Sequence, residues 1–118
     1  DITLPRGKLL EGLVKIREIG RDAGLTILTF GHLGDGNIHV NIMHDASDAE
    51  ERSRALAAKE HVLALTLSLG GSISGEHGVG LAKAAHVHKQ LGPAERSLMA
   101  GVKHAFDPRN IMNPGKGW

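Results

Sequence analysis

The sequence predicts an α+β domain: a ferredoxin-like antiparallel sheet with helices on one face and an appended C-terminal helical arm. Three observations carry this. Strand-like and helix-like periodicities alternate in the order strand, helix, strand, strand, helix, short strand. Asp35-Gly36, between two β-rich runs, is a hairpin dipeptide. At 118 residues the chain suffices for one core and not for two ordinary domains.

The opening Asp1-Ile2-Thr3-Leu4-Pro5 is strand-like and carries neither Met nor a leader, which predicts a chain cut from a larger protein. From Arg6 to about Ala23, Leu9, Leu10, Leu13, Val14, Ile16 and Ile19 fall on one helical face, and Gly24 stands where a left-handed cap ends a helix. Leu25 to Phe30 is β-rich and Ile38 to Met43 alternates. Ser47-Asp48-Ala49-Glu50 has the capping-box pattern, opening a second helix whose Leu56, Val62, Leu63 and Leu67 can face a core before Gly70-Gly71 ends it. Ser72-Ile73-Ser74 can make only a short strand, and Gly75 to Gly80 is a loop. Pro93 suits the first turn of a last helix carrying Leu98, Met99, Val102 and Phe106, and Asn113-Pro114-Gly115 breaks up an irregular arm.

Composition narrows the chemistry. Apolar residues make up 41% and charged residues 23%, and a net charge of +1 provides no broad basic field for nucleic acid. With no cysteine, a transition metal would need His and carboxylate ligands, and a cytoplasmic setting fits. The apolar run around Val62 to Leu69 falls far short of a membrane span. Aromatics are only 3%, whereas 16 glycines and 8 histidines crowd the chain, so glycine-supported backbone and imidazole chemistry are the features to explain.

With Asp35 and Gly36 as a two-residue turn, His32 lies directly opposite His39 and Phe30 opposite Asn41. Directly opposed residues have Cβ atoms about 4.5–5.5 Å apart, from which two imidazoles can converge on one ion. Asn37, His39 and Asn41 share one face, and Ile38, Val40 and Ile42 share the other with Leu33. Two histidines on a sheet also serve as hydrogen-bonded structural residues, and Glu76-His77 in a glycine-rich loop also fits a solvated turn. Two His and one carboxylate would leave coordination positions open on a metal, with Glu76 completing the set and His77 free as a base. His44, His61, His86, His88 and His104 lack comparable partner spacing and are expected at the surface.

Phe30-Gly31-His32-Leu33-Gly34-Asp35-Gly36-Asn37-Ile38-His39, then Gly75-Glu76-His77-Gly78-Val79-Gly80, then Asp107-Pro108-Arg109-Asn110-Ile111-Met112-Asn113-Pro114-Gly115-Lys116 resemble the C-terminal domain of FAD-linked oxidases. Within these vanillyl-alcohol oxidase type flavoproteins the resemblance is to the branch holding the glycolate oxidase FAD subunit, D-lactate dehydrogenase and D-2-hydroxyglutarate dehydrogenase. It implies that His32, His39 and Glu76 bind a divalent metal, usually zinc, that His77 is the catalytic base, and that Asn41 lies near metal and substrate. It implies flavin contacts at Asn113 and Asn37, with FAD held mainly by a domain upstream of Asp1. The implied reaction oxidises a small D-2-hydroxyacid to the 2-oxoacid: the metal acidifies the hydroxyl, His77 takes its proton, and the α-hydrogen leaves as hydride to the flavin.

The implied electron acceptor is a quinone, an electron-transfer protein or an iron–sulfur subunit, through which the protein could associate with a membrane. An apolar surface meant for the upstream part would favour self-association of the isolated chain. Nicotinamide and ATP sites are disfavoured, because there is no G-x-G-x-x-G fingerprint and Leu81 stands where a Walker A loop needs lysine. Two other readings use the same residues: a non-catalytic metal-binding or structural module, and a metal-dependent hydrolase with His77 as base.

Overall fold

In the computed structural model, which describes residues 1–117, a two-residue strand organises the first half of the chain. This strand, β1 (Ile2–Thr3), pairs antiparallel with β3 (Asn37–Ile42), which pairs antiparallel with β2 (Ile27–Phe30), giving the sheet order β1-β3-β2. On the other side of β1, Thr3 forms an antiparallel bridge with Ser72, at the position the sequence assigns to a short last strand. That bridge completes a ferredoxin-like strand order in rudimentary form.

Helices α1 (Leu9–Ala23) and α2 (Ala49–Ser68) pack on each other and on the sheet. Ile2 and Ile38 are directly paired and buried, and with Leu4, Ile16, Val62, Leu63 and Ile73 they form the core. Alternation along β3 turns Ile38 into this core and leaves Asn37 and His39 on the opposite face.

The buried residues of α1 are Gly12, Ile16 and Gly20; of the six aliphatic residues its periodicity marks, Ile16 is buried, Leu9, Leu13 and Ile19 are half-buried, and two lie outside the face. Leu10 is 76% exposed and Val14 is also exposed. The glycines explain the difference. A Cβ at position 12 would lie 2.2 Å from Leu4 Cδ1, and one at position 20 would lie 2.9 Å from Ile27 Cγ1. The helix therefore rests directly on Leu4 and Ile27, which rotates Leu10 and Val14 outward. Gly24 caps α1 in the left-handed conformation, as expected (φ 64°).

The second helix begins one residue later than the capping box suggests. Asp48, not Ser47, is the N-cap, and its carboxylate accepts the Glu50 and Glu51 amides at 2.8 and 3.2 Å. Ser47 instead donates to the Asp45 carboxylate through both its amide and its hydroxyl. Val62 and Leu63 are buried as expected, Leu56 is exposed, and the face is completed by Ala55, Ala58 and Thr66. Buried Thr66 donates its hydroxyl to the Val62 carbonyl at 2.7 Å.

Asp1–Glu76 forms one compact unit, and the chain from His77 on forms a second. The second contains α3 (Val87–Gln90), preceded by a 3₁₀ turn at Ala84–His86, and α4 (Pro93–Phe106) with Pro93 in its first turn. His86 is buried, contrary to its expected surface position, because the 3₁₀ turn carries it inward beside Val87. His44, His61, His88 and His104 are exposed. Along α4, Leu98, Val102 and Phe106 follow each other at four-residue spacing and all are exposed.

The corrected face of α1 can be tested by denaturation. Ile16→Ala should cost about 2–5 kcal/mol in urea unfolding, whereas Leu10→Ala should stay within about 0.5 kcal/mol of wild type.

Candidate metal and substrate site

The hairpin that carries the two histidines is set differently from the two-residue turn expected. Phe30, not His32, lies opposite His39, and Leu28, not Phe30, lies opposite Asn41. The connection is a six-residue loop, residues 31–36. His32 O accepts the Asp35 and Asn37 amides, and Leu33 O accepts that of Gly36. Gly36 is drawn out of the hairpin by β1: its carbonyl accepts the Leu4 amide at 2.9 Å, and with φ 79° a Cβ there would lie 2.2 Å from the Leu4 carbonyl oxygen.

The slip is two residues, an even number, so the faces are preserved. Asn37, His39 and Asn41 still share the face turned away from the helices, and His32, displaced into the loop, still reaches His39. Their ring centroids are 6.0 Å apart in an edge-on arrangement, and Phe30 stacks at a tilt on His39 at 5.1 Å.

Glu76 enters this face at the end of the first unit. Its Oε1 lies 3.3 Å from His39 Nε2 and 3.8 Å from His32 Nε2. His39 is the anchored member, with a side chain 13% exposed against 63% for His32 and 48% for Glu76. Asp1, a residue that sequence reasoning passed over, belongs to the same cluster. One ligand atom from each of Asp1, His39 and Glu76 lies within 4.8 Å of the others, a group that does not include His32, which of the two carboxylates approaches Glu76 alone. The signal was present in the sequence, because Asp1 and Thr3 alternate with core residues Ile2 and Leu4 and so share the polar face of β1. Imidazole and carboxylate donors at these separations suit a divalent ion such as zinc.

Asn37 is buried beneath the cluster. Its Nδ2 donates to Asp1 Oδ1 at 3.2 Å, and its Oδ1 has no partner among the described residues. Asn41 is exposed toward the free end of the same face. The glycine before Glu76 is required by contact: a Cβ at Gly75 would lie 2.3 Å from Asn37 Nδ2 and 2.7 Å from Asp1 Oδ1. On this face His32, Glu76 and Asn41 are exposed, whereas His39 and Asp1 are largely covered. A separate cleft of about 660 Å³ beside β1 is lined by Arg6, Asp35 and Gly70–Ser72 and contains none of these ligands.

In the second unit, His77 follows Glu76 directly and is exposed. Asn113 opens a turn in which Pro114 and Gly115 (φ 71°) occupy the central positions and Lys116 N donates to Asn113 O at 3.3 Å. Asn113 lines a cleft of about 430 Å³ together with Lys103, His104 and Asp107. This arm is tied down by buried Asp107, whose carboxylate accepts Lys103 and the Ile111 and Met112 amides. The Lys103 ammonium holds the Asp107 carboxyl below the usual carboxylate range, with help from the Met112 and Ile111 amides.

A folded value below the unfolded one means that this contribution is complete above about pH 3.9 and is lost as the pH falls through the lowered folded value. Asp107→Asn should therefore speed hydrogen exchange at the Ile111 and Met112 amides at neutral pH. That difference from wild type should vanish at pH values below the folded pKa.

Comparison with known proteins shows where these features recur. A family model described as FAD linked oxidases, C-terminal domain, matches residues 1–117. The chain is 40% identical over 116 residues to a glycolate oxidase subunit of Bacillus subtilis and 37% identical over 117 residues to a D-lactate dehydrogenase of Anaerostipes hadrus. It is 40% identical over 120 residues to a D-2-hydroxyglutarate dehydrogenase of Stutzerimonas stutzeri. Each match takes in 98% of this chain but only 25%, 25% and 26% of the respective relative. The chain thus spans about a quarter of the length of the curated relatives it matches.

Proposed function

Because the chain belongs to the family of FAD-linked oxidase C-terminal domains, we propose that residues 1–118 form the C-terminal part of a longer flavoenzyme that oxidises a small D-2-hydroxyacid, of the glycolate or D-lactate type, to its 2-oxoacid. The observation that carries this reading is the convergence of His39, Glu76 and His32 on one face of the sheet. Relatives named for glycolate, D-lactate and D-2-hydroxyglutarate oxidation support the substrate class.

In this reading His32, His39 and Glu76 hold a divalent ion, with zinc the best match to the donors. The ion would supply Lewis acidity toward the substrate hydroxyl, and FAD, held mainly by the upstream domain, would supply the hydride acceptor. The residues of the chain do the rest. His77 takes the hydroxyl proton, and Asn41, exposed on the ligand face, donates to substrate oxygen. Asn113, at the turn of the arm, and Asn37, through its unpartnered Oδ1, supply flavin contacts. Electrons then pass to a quinone, an electron-transfer protein or an iron–sulfur subunit.

The localisation that goes with this is cytoplasmic, with any membrane association made through the redox partner; among the described residues no helix is long and apolar enough to cross a membrane. The exposed Leu98, Val102 and Phe106 on α4 support self-association of the chain when it is separated from the rest of the protein.

Two measurements test the proposal. The chelator-stripped chain should take up one zinc per chain, and His39→Ala should lose it; a full-length wild-type protein that takes up none would contradict the metal assignment. In the full-length protein, His77→Ala should lower kcat for D-lactate or glycolate by about 10²–10⁴-fold with zinc retained. Unchanged turnover would remove His77 from the role of base.

A further inference from the structure

The Asp1 side chain is held by several hydrogen bonds, and the proposed reaction gives it no role. Its carboxylate is only 3% exposed, a burial that is costly for an anion unless hydrogen bonds replace water. They do. Oδ2 accepts the Gly75 amide at 2.9 Å and the Ser74 hydroxyl at 3.2 Å, Oδ1 accepts Asn37 Nδ2 at 3.2 Å, and the Glu76 amide lies 3.2 Å from both oxygens. The loop rests so directly on this carboxylate that any side chain at position 75 would displace it.

His39 stands between two carboxylates. Nε2 faces Glu76 at 3.3 Å, and Nδ1 faces Asp1 at 3.9 Å. The two acids are not equivalent. The Glu76 side chain is half exposed, whereas that of Asp1 is buried and fixed by the donors just named. With an ion held between Nε2 and Glu76, Nε2 would have to offer its lone pair, and the ring N–H would then lie on the Nδ1 side, which faces the fixed Asp1 carboxylate. At 3.9 Å the contact is electrostatic and not a hydrogen bond; a carboxylate on this side of a ligating histidine orients the ring, and closes to a hydrogen bond when the ring turns to a metal.

We propose that Asp1 is a positioning residue for the metal site: its carboxylate holds His39 with Nε2 presented to the ion, and through the Gly75 and Glu76 amides it sets the height of the Glu76 ligand above the sheet. One buried anion thereby aligns two ligands that are 37 positions apart in sequence. This rests on the reading of His39 and Glu76 as ligands.

The test uses zinc as the probe on the chelator-stripped full-length protein, wild type against Asp1→Asn, which keeps the size of the side chain and one acceptor oxygen but removes the charge. Asp1→Asn should weaken zinc binding by about 10–100-fold and shift the His39 Nδ1–H proton resonance of the zinc-loaded protein upfield, with faster exchange. A part confined to loop packing would leave that resonance where it is. Wild-type affinity in the variant with an unmoved resonance would overturn the proposal while leaving the metal site standing. Absence of zinc binding by the wild-type full-length protein would overturn the metal assignment, and the proposal with it. Should Asp1→Asn fail to fold, the zinc-loaded wild type decides alone: His39 Nδ1–H should exchange slowly with water, and rapid exchange would contradict a carboxylate partner.

Discussion

Everything on the polar face of the first unit leans on the short strand β1. Ile2 and Leu4 are buried in the core, while Asp1 and Thr3, alternating with them, face the other way. Thr3 exchanges backbone hydrogen bonds with Ser72 at 3.0 and 2.8 Å, and Leu4 takes the Gly36 carbonyl. Two segments far apart in sequence, the hairpin with its histidines and the loop with its glutamate, are thereby fixed to the same few residues. The hydrophobic effect acting on Ile2, Leu4 and Ile38 supplies the anchorage, and hydrogen bonds to Asp1 and Thr3 convert it into position on the polar face.

The sequence made the alternation along β3 legible, and with it the grouping of Asn37, His39 and Asn41 on one face. The hairpin register was not legible from Asp35-Gly36, because the turn preference of that dipeptide is local whereas Gly36 is held by Leu4 from another strand. The shared face of Asn37, His39 and Asn41 is unaffected by that difference, because a two-residue slip preserves the faces. The face of α1 was misjudged for a related reason. Periodicity weighs Leu10 and Val14 as core, but close approach of the backbone at Gly12 and Gly20 is a property of packing that side-chain hydrophobicity does not encode. The N-cap shifted by one residue because Ser47 and Asp48 are both competent caps, and the Asp45 carboxylate occupies the first.

Asp1 escaped notice because a lone acid beside strand residues looks solvated. Only the folded chain brings four donors from residues 37 and 74–76 to it. Conversely, the family resemblance rests on three short motifs, and those motifs contain several of the residues whose φ is positive. Gly31 and Gly36 flank the histidine loop, Gly75 lies against Asp1, and Asn113 with Gly115 shapes the turn of the arm, with positive φ at all but Gly75. Family membership follows from the match over residues 1–117. The division of labour proposed for the whole enzyme places the metal ligands on the sheet of the first unit, and the base and one flavin contact in the second.

The central claim is that the polar face of the sheet holds a metal through two imidazoles and one carboxylate. X-ray absorption at the zinc edge of the zinc-loaded chain tests it most directly. The account predicts a first shell of nitrogen and oxygen atoms at about 2.0–2.1 Å, with outer-shell scattering that fits two imidazole rings in the wild type and one in His32→Ala. An outer shell that fits a single imidazole in the wild type, or one unchanged by His32→Ala, would contradict it.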